Sequence, residues 1–157
     1  MIASKHCVLL ISVILFCGTS LASTELKDVQ FRYYTSEQLT RLPEYFTGKE
    51  FTGSRMFCRS STDRTGLYFS FPLDKEILTL SADSIINLSI IRSSRKSIEE
   101  FTFKLPDERR GKKDLFLGLT GEDWPSDDAR PIAWKIEILN SSKVLLFWKK
   151  SFLWDHD

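Results

Sequence analysis

The densest run of ionisable side chains is Glu122-Asp123-Trp124-Pro125-Ser126-Asp127-Asp128, which places four carboxylates in seven residues. Carboxylate oxygens at that density suit calcium, a hard cation that takes several oxygen ligands. The spacing departs from an EF-hand loop, which needs ligands at alternating positions, a central glycine and a late glutamate. A pair drawn from Glu122, Asp123, Asp127 and Asp128 would also serve glycoside hydrolysis, if folding set it roughly 5 Å or roughly 6.5–9.5 Å apart beside a cleft. Nothing in the spacing singles out a proton donor. A solvated loop between two strands accounts for the same residues, because connections run over the surface.

Thiol and imidazole chemistry are scarcer. The chain holds 3 cysteines and 2 histidines. Residues 1–22 read as a secretory leader: Lys5 and His6 form a polar start, residues 7–17 an apolar run, and Ser20-Leu21-Ala22 offers small residues to a signal peptidase. The apolar run is shorter than the ~20 residues that span a bilayer, and Phe16 before Cys17 argues against lipid attachment. Cleavage after Ala22 removes Cys7, Cys17 and His6, leaving Cys58 and His156. One thiol closes no internal disulfide, and a nucleophilic thiolate needs a neighbouring base. Cys58 lies in an alternating apolar stretch, where a free cysteine behaves as a small hydrophobe. An intermolecular disulfide is the alternative if that thiol is exposed. His156 is second from the end, so a Ser-His-Asp triad or a histidine zinc site is disfavoured. No glycine-rich phosphate loop is present. The reading is therefore of a protein without cofactor and without catalytic residues.

Aromatic residues make up 13% of the chain, and exposed rings stack on sugars or on partner proteins. Trp134 shares an apolar register with Ile132 and Ile136 and is expected in the core. Trp124 and Tyr68 are the better exposed candidates. With Glu122, Asp123, Asp127 and Asp128 they form the expected ligand site. Asn87-Leu88-Ser89 and Asn140-Ser141-Ser142 match the N-glycosylation triplet, the second at a hairpin tip.

The elements that must position these groups announce themselves by period-two alternation. Strands are expected over 29–34, 54–59, 67–71, 84–92, 100–105, 115–119, 132–139 and 144–153, with 140–143 turning the last two into a hairpin. Thr35 with Gln38 fits a capping box, so one short helical turn is expected near 36–42, ended by Pro43. The segment from Glu44 to Gly53, with Tyr45, Phe46 and Phe51, reads as a covered loop. The strand at 144–153 is apolar on both faces in its first half, as a central strand or a partner-covered one would be.

Seven or eight short strands in a chain of this length predict one domain over 23–157, an all-β antiparallel sandwich of immunoglobulin-like or fibronectin-like architecture. A partly closed barrel is the alternative, since alternation does not separate the two. Removing Lys5 brings the 22 cations level with the 21 anions. A neutral total gives little field for steering nucleic acid or an anionic membrane. The basic patches Arg92/Arg95/Lys96 and Arg109/Arg110/Lys112/Lys113 are expected as exposed loop charges. The function expected is binding or structure by a secreted or periplasmic domain whose partner is a protein or a glycan. A small carbohydrate-binding module is the second reading and a carboxylate hydrolase the third.

Overall fold

A computed structural model describes residues 22–155, so the expected leader lies outside the described residues apart from its last position, as does His156. Nine strands fall in this range: β1 (Thr24–Glu25), β2 (Gln30–Tyr34), β3 (Arg55–Arg59), β4 (Gly66–Pro72), β5 (Ile85–Arg92), β6 (Arg95–Lys104), β7 (Asp114–Thr120), β8 (Pro131–Leu139) and β9 (Leu145–Lys150). Three short helices, α1 (Ser36–Leu39), α2 (Leu42–Thr47) and α3 (Lys75–Leu78), sit in the connections. One sheet has the order β1-β9-β8-β5-β6, the other β2-β4-β7-β3.

Alternation dictates which side chains meet between the sheets. From the first sheet Ile86, Leu88, Ile90, Trp134, Ile136, Ile138 and Phe147 point inward; from the second, Leu67, Phe69, Phe71, Leu115, Leu117 and Leu119. Phe69 and Trp134 meet edge to face across the gap, 5.4 Å between ring centroids. Each such side chain contributes about 1.5–3 kcal/mol on leaving water, before the entropy of ordering the chain is subtracted. Cys58 belongs to this core, and burial pushes its thiol up to about 12, out of nucleophilic range. Ile132 is the exception in β8. Ile91 pairs Ala133 and Arg92 pairs Pro131, so Ile132 is left over in a bulge and turns outward.

The sheets are mixed, not purely antiparallel. β3 runs parallel to β7 and β1 parallel to β9; the other pairings are antiparallel. A period of two reports which face a residue occupies and is blind to strand direction, which is why the exception was not foreseeable. Neither sheet closes on itself among the described residues, so the architecture is sandwich-like and not a barrel. The 140–143 turn is as expected, held by Asn140 Oδ1, which accepts from Ser142 N and Val144 N at 3.0 and 2.9 Å.

The helical region departs most from expectation. The Thr35–Gln38 capping box forms, but α1 stops at Leu39. Pro43 does not end a helix; it lies in the first turn of a second one, α2, where its missing N–H costs nothing. That helix ends at Gly48, whose φ of 65° is the left-handed conformation usual for this cap.

The outer face of the second sheet is also covered. Tyr68 and Phe116 pack there under Leu39 of α1, with Tyr34 and Phe57 at the margin. Tyr68 lies opposite Gly118 in the β4–β7 ladder. A Cβ at position 118 would fall 2.5 Å from Tyr68 Cε1, so the ring occupies the space a side chain would take. Gly118→Ala is therefore expected to displace the ring and cost about 1–3 kcal/mol, the range for overpacking. A urea melt checks it; an unchanged midpoint would mean that the ring does not rest on this glycine.

Candidate functional site

The acidic loop leaves β7 through a 3-10 turn at Gly121–Asp123. Its parts diverge. Glu122 borders a cleft of about 420 Å³ together with Asp63, Arg64 and Ser36. Asp127 borders a separate cleft of about 260 Å³ beside Tyr33 and Arg130. Asp128 Oδ2 accepts from Ser126 Oγ at 3.3 Å. Burial, with Asp127 nearby, raises the pKa of Tyr33. Among the described residues no three His, Cys, Asp or Glu side chains come together as metal ligands would.

Trp124 and Tyr68, expected at the surface, are fully buried. The Arg92 guanidinium lies 4.4 Å from the Trp124 ring centroid, and Arg92 is ion-paired with Glu99 of β6. Arg92 is thus a partly buried lid on the tryptophan and not an exposed loop charge. Tyr68 obeys the alternation that sent it away from the core, but the face it reached is covered. Neither ring is free to stack on a sugar.

Tyr68 instead anchors a network of charges that the sequence reading missed. Its hydroxyl donates to Arg64 O at 2.7 Å and accepts from Arg59 Nε at 2.9 Å. Arg59 pairs with both carboxylate oxygens of Glu50, at 2.5 and 3.0 Å, while its guanidinium lies 4.6 Å from the Phe57 ring centroid. Arg64 pairs with Glu44 through two nitrogens, at 2.7 and 3.3 Å, and its Nε is 3.7 Å from Glu50. Two arginines of the β3–β4 region therefore hold two glutamates of the segment 44–50. Such bidentate pairs are geometrically specific as well as favourable.

Glu44 also accepts from Arg41 N at 2.9 Å and so caps the start of α2. The hydrogen bond from Arg64, aided by backbone N–H groups, holds its carboxyl down to about 2 from the ordinary 4.5. The pairing with Arg59 lowers Glu50 in the same way.

The result is a helix turned inside out. Leu42, Tyr45 and Phe46 are spaced i, i+3, i+4 and share one face. That spacing normally marks the side toward a core. Here the three are 71%, 74% and 82% exposed, while the Glu44 side chain is 9% exposed. No apolar residue of α2 is buried. Phe51, just beyond, is half exposed and borders a cleft of about 280 Å³ with Arg41 and Arg55. The segment expected as a covered loop is thus an exposed apolar surface clasped by ion pairs. Pro43 followed by Glu44 was the available signal for a helix start; the arginines lie too far along the chain to be paired with it by inspection.

Comparison with known proteins finds no match for this chain, whether among protein-family models, curated proteins or solved structures.

Because the folded carboxyl titrates below the unfolded one, the clasp's contribution is complete above about pH 4.5 and is lost as the pH falls toward 2. Proteolysis by pepsin across that window should show cleavage near 42–50 rising before the sheets unfold. Glu44→Gln should show the raised cleavage already at pH 5. A cleavage profile identical in the two proteins would remove the clasp from the account of α2.

Proposed function

We propose that this is an exported, non-catalytic binding domain that works at the cell envelope or outside the cell, engaging its partner through the exposed face of α2. The observation that carries the proposal is the orientation of that helix. Leu42, Tyr45 and Phe46 add nothing to the core, and two ion-paired glutamates hold them in water. Contiguous apolar groups kept at a surface mark interaction sites. Binding is favoured over hydrolysis because Glu122 and Asp127 border different clefts and Cys58 is buried. A sugar module would need a platform other than Trp124 and Tyr68.

We also infer an immunoglobulin-like architecture for the sheets. The order β9-β8-β5-β6 follows the G-F-C-C′ arrangement and β2-β4-β7 the A-B-E arrangement of such domains. β3 supports the likeness least: it lies beside β7, where strand D would be, yet it comes before β4 in the chain.

The test is the double variant Tyr45→Ser, Phe46→Ser, assayed for retention on isolated envelopes of the producing cell. Removing two apolar contacts should lower retention by about tenfold or more. The melting temperature should stay within about 2 °C, as usual for surface substitutions. Equal retention of variant and parent would end the proposal.

A further inference from the structure

The basic loop 109–113 finds its place in the fold beside the α2 segment. Lys112 Nζ donates to Thr52 Oγ1 and Gly53 O, both at 2.8 Å, and Lys113 N donates to Ser54 O at 2.7 Å. The loop is thereby bound to the stretch that carries Phe51. The same stretch brings Arg41 and Arg55 to the Phe51 cleft. Arg41, Lys49, Lys112 and Lys113 thus lie beside the α2 segment, while Arg55 stacks on the Phe116 ring and Arg110 sits farther along the loop beside Leu78. None of the six is in an ion pair among the described residues. Glu44 of the helix and Glu50 just beyond it are already ion-paired with Arg64 and Arg59. Against these six cations stand four acids: Asp107 and Glu108 on the adjoining loop, and Asp28 and Asp114, which border a cleft with Arg55. Overall neutrality of the chain therefore conceals a local excess of positive charge around a protruding leucine, tyrosine and two phenylalanines.

We propose that this side docks on the headgroup layer of an anionic lipid bilayer, with Leu42, Tyr45, Phe46 and Phe51 entering the boundary and the exposed Arg41, Lys49 and Lys113 facing lipid phosphates. The inference rests on the binding-domain reading above and names the partner of that same face. Charge complementarity decides for lipid. An exposed leucine and aromatic face flanked by Lys and Arg outside ion pairs combines apolar burial with attraction to anionic headgroups, the two contributions that hold proteins in the interfacial plane. The clasp suits that role, because it keeps the acids of the helix from opposing the headgroups. No helix among the described residues is long and apolar enough to cross a membrane, so the contact is peripheral.

Hydrogen–deuterium exchange of the full chain reads the docked face segment by segment, so attachment through residues 1–21 alone is told apart by unchanged exchange at 42–53 and 109–113. The probes are protein-free vesicles of phosphatidylcholine and of equimolar phosphatidylcholine and phosphatidylglycerol. Exchange should slow severalfold at 42–53 and 109–113 with the mixed vesicles, leaving the hairpin turn at 140–143 unchanged. The effect should fade at high salt, and Lys49→Gln and Lys113→Gln should each lower partitioning about fivefold. Equal slowing with phosphatidylcholine alone would overturn the proposal, as would slowing that grows with protein concentration in the absence of vesicles, which would mark an interface between copies. No slowing with either vesicle would also overturn it. If isolated envelopes then still retain the parent over the Tyr45→Ser, Phe46→Ser variant, the partner is a protein and the binding-domain reading survives; if they do not, both fall.

Discussion

A buried hydroxyl has to keep its hydrogen bonds, and in this protein that requirement on Tyr68 organises one whole side of the molecule. The tyrosine stands on the outer face of the four-stranded sheet, with its ring in the space left by Gly118 and under Leu39 of α1. Its oxygen is satisfied by Arg59 and by the carbonyl of Arg64. Those arginines bring positive charge to a covered surface, and each then needs a carboxylate. Glu50 and Glu44 supply them and carry the segment 42–53 into place. A buried ring thus leads, through the Arg59 guanidinium and the Arg64 backbone, to the position of a helix with no buried apolar residue of its own.

This order of dependence explains an apparent contradiction in α2. A six-residue helix is too short to be stable alone, and one that turns its apolar face outward gains nothing from the core. Its order comes from the proline in its first turn, from the left-handed Gly48 at its end and from the carboxylate at its third position. The same carboxylate is both the cap and the clasp.

What was legible in the sequence follows from this physics. Each expected strand lies on one that formed, because alternation between wet and apolar surroundings is imposed locally. Cys58 and Trp134 were placed in the core on the same ground. Direction and cover were not legible. Nothing in the pattern Arg55–Arg59 says that it pairs in parallel with β7. Tyr68 was assigned to the correct face and the wrong surroundings, since what lies over that face comes from α1, from β3 and from β7. Trp124 was misread because a tryptophan in an acidic loop has no periodic neighbours to betray its burial; its cover, Arg92, comes from another hairpin. The clasp escaped because its partners are separated by twenty residues in one pair and nine in the other, and charge alone does not say which acid a distant base will choose.

The two-residue strand β1 lies against β9, and Glu25 is bound to Lys149 across a separation of 124 positions. A ribosome therefore releases β9, the partner of β1, more than a hundred residues after β1 itself. Thr24–Glu25 stays undocked while β2 to β8 are made, available to whatever machinery handles nascent chains. Closing that edge waits on β9, whatever else has already packed.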